Sequence, residues 1–443
     1  MGNSNLVLDI HDKPSTKIWA LLSLQHIFAM FGATVLVPIL VGIPVSVALF
    51  TSGVGTLIYI VCTKAKSPVY LGSSFAYITP LIAVLAFNTE NAAQNYNVAV
   101  ILVGAIYVLM SFIFRFFGTE WFYKILPPVV IGPVIMVIGL GLANYAMTSF
   151  GLVVGDQVAI DWQHVGVATL TTGIIIAITI YGKGGLKLIP VLIGVVSGYI
   201  CAALLGMIDF TLVKEAAIFS FPEFSVLFSK GMTVNWEVLF IVFPVTIVTL
   251  SEHIGDHIVL GTIINKNLLA DPGLHRTLLG DGLATMFAGI VGGPVNTTYA
   301  ENTGVISLTK IASIYVIGGA AVGAIFLAFI GKITAIIQTI PTAVIGGVSI
   351  ILFGMIALNG VRVLVENNVD LKNERNVIMI AVMLIIGVGA AAGINIRIFG
   401  APISVSGIVL VAIVGIILHQ LLPNKAVAYG SNNLETTIPK EEK

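Results

Sequence analysis

Charge is what this chain has least of. Of its 443 residues only 9% are Asp, Glu, Lys or Arg, while 57% are hydrophobic and the mean hydropathy is +1.04. A soluble domain carries about 25% charged residues, so this scarcity excludes a soluble globular protein and marks an integral membrane one. The 21 basic and 21 acidic residues cancel, leaving no net positive charge for a nucleic-acid partner. Cysteine is almost missing as well. Cys62 and Cys201 both lie in apolar runs, so a disulfide framework is not expected and both read as packing residues. The first 17 residues are polar, with Asp9, Asp12, Lys13 and Lys17, and no cleavable signal peptide is expected ahead of the first apolar run.

What the chain does have is apolar runs. A helix needs about 20 such residues to cross the hydrocarbon layer. Runs approaching that length begin near Ile18, Val45, Tyr70, Asn97, Tyr123, Val165, Leu188, Trp236, Thr277, Val295, Ser313, Pro341, Asn376 and Ser404. Fourteen crossings with the N-terminus inside leave only Lys214, Lys230, Lys332 and Arg397 outside among the basic residues, as the positive-inside rule requires. Dropping the third or the tenth run, both irregular, reverses every later assignment. The expectation is an all-α, multi-pass protein of the cell membrane with both termini cytoplasmic and a polar, disordered tail after Leu422.

Runs seven apart resemble one another. The first carries "SLQHIFAMFG" and the eighth "LSEHIGDHIV", each with a polar pair, Gln25-His26 and Glu252-His253, inside an apolar helix. Pro127 and Gly132 in the fifth are matched by Pro341 and Gly346 in the twelfth, and "VYLGSSFAYITP" in the third by "PVNTTYAENTG" in the tenth. A repeat with an odd number of spans places its two copies in inverted orientation, and inverted repeats with interrupted helices point to a transporter's midplane site.

The third and tenth runs are the interrupted ones. From Glu301 to Lys310 is about 15 Å of helix, half a bilayer. The residues before it, Val295 to Tyr299, favour extended structure. The third run repeats the plan, with Tyr70 to Gly72 extended and a helix from Ser73 or Ser74. Paired as short antiparallel strands, the two stretches satisfy backbone groups that lipid cannot, and they aim two helix N-termini at one midplane point. Free N–H groups suit an anion or a carbonyl oxygen, yet Glu301 puts a carboxylate beside them. Either Glu301 caps its own helix, or the site holds donors and an acceptor together for a substrate that is both.

"SEHIGDHIVLG" supplies the second component. Glu252 and Asp256, four apart, share one helix face; His253 and His257 share the adjacent one. Carboxylates at this depth face the bundle interior and mark ion or proton paths, so Glu252, Asp256 and Glu301 are candidates for carrying a proton. The alternative for Asp256 is a hydrogen bond to another helix, and for His253 a structural role. His-x-x-x-His on a helix can bind a transition metal. Only His26 could join the pair, which makes metal transport the weaker reading, and the HExxH order of a metalloprotease is missing. No nucleophile–base pair stands outside this helix, so an enzyme is not expected.

On these residues the chain resembles the nucleobase–ascorbate transporters, and within them the uracil branch. The family signature is Gln, Glu or Pro, then Asn-x-Gly, four residues, Thr, and Arg, Lys or Gly; it is met by Glu301, Asn302, Gly304, Thr309 and Lys310. "YLGSSFAYITP", "SEHIGDH", "DPGLHR" and "NTTYAENTGV" follow in the right order, and the likeness runs from about Lys17 to Leu422. The resemblance implies two inverted seven-segment repeats. They form a core domain at 17–118 and 236–337, a gate domain at 119–235 and 338–423, and a cytoplasmic tail at 424–443. It implies proton-coupled uracil import by a homodimer in the lipid bilayer, with no cofactor beyond the proton. Glu252 and Glu301 accept from uracil N–H groups, and backbone N–H groups around Phe75 and Ala300 hold its carbonyls. Ala33 and Tyr299 complete the binding surface, and Asp256 joins the proton-linked network. Gln25, His26, His253, Asn302, Thr309 and Phe353 take supporting positions. Ala300, where many relatives have Gly, and Phe353, where one has Tyr, are departures from the pattern. The rival readings are a purine or xanthine carrier of the same family and an anion transporter of the same architecture.

Overall fold

The computed structural model describes residues 6–87, 91–152, 160–184, 186, 189–226, 237–391, 393–398, 401–405 and 407–423. The expected tail at 424–443 and the run starts at Leu188 and Trp236 lie outside them. The chain is mostly helical. The first half runs α1 (Thr16–Val41), α2 (Val45–Cys62), β1 (Leu71–Ser73), a 3-10 turn (Phe75–Tyr77), α3 (Ile78–Phe87) and α4 (Ala92–Phe117). It continues with α5 (Glu120–Ile125), α6 (Pro128–Leu140), α7 (Ala143–Phe150), α8 (Trp162–Tyr181), α9 (Pro190–Leu204) and α10 (Thr211–Glu215). The second half runs α11 (Glu237–Ile264), α12 (Leu274–Val291), β2 (Asn296–Thr298), α13 (Ala300–Thr309), α14 (Ile314–Ala328) and α15 (Gly331–Gln338). It ends with α16 (Thr342–Glu366), α17 (Glu374–Gly389), the hairpin β3 (Ile394–Ile398) and β4 (Ala401–Val405), and α18 (Gly407–Leu421).

Among the described residues, seven helices are long and apolar enough to cross a membrane: α1, α2, α4, α6 with α7, α8, α11 and α16. Four shorter apolar helices accompany them, among them the interrupted α3. Threonines survive in these helices because their hydroxyls bond backward: those of Thr51, Thr171 and Thr246 donate to the carbonyls of Val47, Val167 and Val242, so no donor is left bare in an apolar setting. Large apolar side chains such as Phe116, Phe117, Tyr181 and Ile385 stand on the outer surface, as a lipid-facing protein allows. The phenylalanine-rich end of α4 divides: Phe112, Phe116 and Phe117 face out, while Phe114 turns inward onto Trp121 and Phe122.

Two sets of helices pack most closely among themselves. In one, α1, α2 and α4 pack on α12 and α14; in the other, α6, α7, α8 and α9 pack on α16, with α17 and α18 beside α6. The α4–α12 contact is backbone-close. A Cβ on Gly104 would stand 2.5 Å from the Gly282 carbonyl oxygen, and one on Gly282 would stand 2.8 Å from that of Gly104.

At the centre of the first set, β1 pairs antiparallel with β2 in the register Leu71–Thr298, Gly72–Thr297, Ser73–Asn296. Backbone bonds from Ser74 N to Val295 O and from Tyr299 N to Tyr70 O extend the ladder at both ends. A two-stranded sheet has two open edges, which cannot stay unpaired away from water. Hydroxyls close them. Ser52 Oγ of α2 donates to the Leu71 carbonyl at 2.7 Å, Leu71 N–H donates to Thr56 Oγ1 at 2.9 Å, and Asn296 N–H donates to Thr285 Oγ1 of α12 at 3.3 Å.

Candidate functional site

Each strand of the central pair runs straight into a helix. β1 leads through the 3-10 turn into α3, and β2 leads into the ten-residue α13. Both helices therefore begin at the strand pair, inside the protein, where first-turn N–H groups have no intrahelical partner. Phe75 opens the 3-10 turn and is half-buried. It touches apolar clusters of both helix sets, one of them holding Ile175 and Ile345. Ala300 and Glu301 open α13 and are exposed, so Glu301 sits in the first helical turn, where a carboxylate faces the positive dipole end.

The acidic helix α11 packs against β2 and α13. The Thr298 hydroxyl donates to the Asp256 carboxylate, tying the helix to the strand two residues before Ala300. The Tyr77 hydroxyl contacts Thr246 and Thr249 of α11 at 3.1 and 2.9 Å, which ties the 3-10 turn to the same helix. Glu252 and Asp256 are half-buried on the face that meets these elements, while His253 and His257 are wholly buried. Among the described residues none of Glu252, Asp256 and Glu301 has a cationic partner; the ion pairs lie elsewhere. Three acceptors without a cation gather around two helix N-termini.

The remaining expected residues divide. The Asn302 amide donates to His26 Nδ1 at 3.0 Å and to the His26 carbonyl at 3.1 Å, fixing α13 to α1. Tyr299 is buried; its hydroxyl donates to the Ser73 carbonyl at 3.1 Å and accepts from Thr34 Oγ1 at 3.0 Å. Its ring lies on Gly72, where a Cβ would come within 2.3 Å of the ring. Ala33 is buried on α1 and Gln25 half-buried. Thr309 stands at the opposite end of α13 from Glu301, its hydroxyl donating to the Val305 carbonyl at 2.7 Å. Phe353 is buried in α16 within a large apolar cluster.

His253 and His257 spend their ring nitrogens on protein partners. His253 Nδ1 lies 2.9 Å from Asp281 Oδ2 and Nε2 lies 3.0 Å from Thr277 Oγ1, both on α12. His257 Nδ1 donates to the His253 carbonyl, and Nε2 meets the Tyr59 hydroxyl. The two rings stack with centroids 4.2 Å apart. Sequence reasoning missed Asp281 and Tyr59. Asp281 carried a signal, an acidic residue inside an apolar run; Tyr59 carried none.

The permease-family profile matches residues 17–396. The chain belongs to the permease family. Among curated relatives of this permease, the uracil permease of Bacillus caldolyticus is 46% identical, covering 95% of this chain and 96% of its own. The uracil permease of Escherichia coli K12 is 41% identical, covering 89% of each chain. The nucleobase–ascorbate resemblance is thereby shown, and the permease is a membrane transporter rather than an enzyme. Its fold is shared by the transmembrane domain of a cyanobacterial bicarbonate transporter, BicA, at 14% identity and TM-score 0.62, covering 92% of this chain and 98% of that one. Murine Slc26a9, an anion transporter, matches at 12% identity and TM-score 0.69, covering 93% of this chain and 69% of its own.

Proposed function

We propose that this permease imports uracil across the cytoplasmic membrane together with a proton. The observation that carries the reading is the trio Glu252, Asp256 and Glu301, uncompensated by any cation among the described residues, with Glu301 in the first turn of α13 and the other two on α11, which packs against α13 and the 3-10 turn ahead of α3. Uracil alternates N–H donors with carbonyl acceptors around a flat, neutral ring. Glu252 and Glu301 accept from the ring N–H groups, the N–H groups at Phe75 and Ala300 donate to its carbonyls, and the Phe75 ring covers a face. Tyr299, held between Thr34 and Ser73, sets the position of the Ala300 N–H behind them. A site that pairs every polar group rejects a base lacking one, because a buried partner is left bare. Asp256, with Thr298, takes part in carrying the proton.

Transport on this reading is alternating access in a fourteen-segment fold of two inverted repeats, with residues 17–118 and 236–337 as the substrate-bearing core and 119–235 and 338–423 as the gate. Two features support that division: the shared strand–half-helix plan of β1–α3 and β2–α13, and the start of α6 and α16 each one residue after a proline, Pro127 and Pro341. A homodimer with both termini cytoplasmic completes the reading.

The test is radiolabelled uracil uptake into proteoliposomes with and without an inward proton gradient, against adenine, xanthine and sulfate as competitors. Gradient-driven uptake blocked only by uracil-like bases is the expected result. Transport of xanthine in its place would move the substrate to the purines. Transport of an anion, as the bicarbonate transporter of the same fold performs, would overturn the role given to the carboxylates.

A further inference from the structure

Ahead of α1, residues 7–12 run as a strap across the turn that joins α13 to α14. Val7 N–H donates to the Lys310 carbonyl at 2.7 Å, where α13 ends in a left-handed residue, φ 58°. The strap then supplies acceptors where α14 begins. Ala312 N–H donates to the Leu8 carbonyl at 2.9 Å, Ile314 N–H to that of Ile10 at 2.8 Å, and Ser313 Oγ to that of Asp12 at 2.6 Å. Helix ends leave unpaired carbonyls on one side of such a turn and unpaired N–H groups on the other; here the strap fills both needs.

The same strap grips α11. Asp9 receives Lys266 Nζ at 2.8 and 3.0 Å on its two carboxylate oxygens. Ile10, 2% exposed, is buried in an apolar cluster with Ile264 at the end of α11, Leu268 in the turn that follows it, and Ile306 of α13. Ile264, the last residue of α11, follows Glu252 by twelve positions and Lys310 follows Glu301 by nine. At about 1.5 Å per residue the two arms are about 18 and 14 Å long. The helices that carry the carboxylates are thus pinned together at their far ends by one short piece of chain. A helix as short as α13 is marginal without such anchoring.

We infer that residues 7–12 are a positioning element of the substrate site: they hold the end of α13 against the end of α11 and so set the separation of Glu301 from Glu252. This rests on the reading of those two carboxylates as the pair that binds uracil. The variant Ile10→Asp places a charge in the apolar cluster and expels the strap.

The experiment measures uracil Kd in detergent together with KM and Vmax in proteoliposomes. It uses the full-length protein, Ile10→Asp, the single reversals Asp9→Lys and Lys266→Asp, and the double reversal. The expected result is about a tenfold or greater rise in Kd and KM for Ile10→Asp with Vmax largely kept. The single reversals should shift Kd by about two- to fivefold, as suits an exposed ion pair, and the double reversal should restore it. A strap that only stabilised the fold would lower yield and Vmax together and give no rescue. Should Ile10→Asp not fold, the reversals decide, and unchanged Kd in both singles overturns the inference. Wild-type binding with all variants unaltered removes the strap's role alone. A wild type that binds no uracil overturns the substrate reading and the strap's role together.

Discussion

Glu301 stands one residue into a helix, in the first turn where N–H groups have no intrahelical partner, which is where a carboxylate costs least in an apolar protein. Its own N–H bonds the carboxylate, and one such bond leaves most of the acceptor capacity of the two oxygens for a ligand. Replacing it by Gln keeps the shape but presents an amide where the ligand donates, and the lost charge-assisted hydrogen bond is worth about 1.5–3 kcal/mol. Glu301→Gln and Glu252→Gln are each expected to weaken uracil binding by at least about tenfold, to the point of abolishing measurable uptake for Glu301→Gln. Equilibrium binding in detergent reads this directly, and normal saturable binding in both variants would sink the assignment. The histidines on the same helix behave otherwise. His253 has both nitrogens engaged by Asp281 and Thr277, which leaves neither for a ligand. The sequence separated the two faces of α11 by period alone, because i and i+4 must stack. It could not say what lies opposite each face, since Asp281 and Tyr59 come from distant positions.

The strands show what an element can and cannot take from its own residues. Extended structure was expected at Tyr70 to Gly72 and Val295 to Tyr299; the strands run Leu71–Ser73 and Asn296–Thr298. The composition was sufficient to place them within a residue or two, because Val, Thr and Tyr favour the pleat. The closure of their edges by Ser52, Thr56 and Thr285 was not legible, for hydroxyls in an apolar helix are usually spent on their own backbone. Gly72 is where the pair tolerates least. A methyl group there would meet the Tyr299 ring at 2.3 Å, and overpacking of this kind costs about 1–3 kcal/mol. Gly72→Ala should lower the melting temperature in detergent and weaken uptake together; unchanged melting would mean the ring has room to move.

For the whole molecule, the pH dependence of uptake separates the site from its brace. Burial raises the Asp9 carboxyl, but the Lys266 ammonium and the Ile10 N–H outweigh it and hold the group below the ordinary carboxylate value. A group lowered in the folded state contributes fully above its unfolded value, about 3.9, and its contribution is lost as pH falls through the lowered one. The Asp9–Lys266 pair is therefore intact from pH 5 to 8. Any pH profile of uptake across that range is expected to keep its shape in Asp9→Asn, even as binding weakens. A profile displaced along the pH axis in that variant would place a titrating group in the strap.

Legible in the chain alone were the membrane class, the two interrupted segments and the face of α11 that carries the carboxylates, with the family recognised through its motifs. The first three follow from local quantities: apolar run length, helical period, strand propensity, and the chemical cost of an acidic residue in lipid; the family rests on motif resemblance. Three pairings are visible in the folded chain alone: the fixed register of β1 and β2, the meeting of His253 with Asp281, and the strap before the first helix that ties α11 to α13. Those contacts join residues from 28 to more than 300 positions apart. Short-range preferences do not encode such pairings; they arise because buried polar groups in a membrane protein must find partners, wherever in the chain those partners lie.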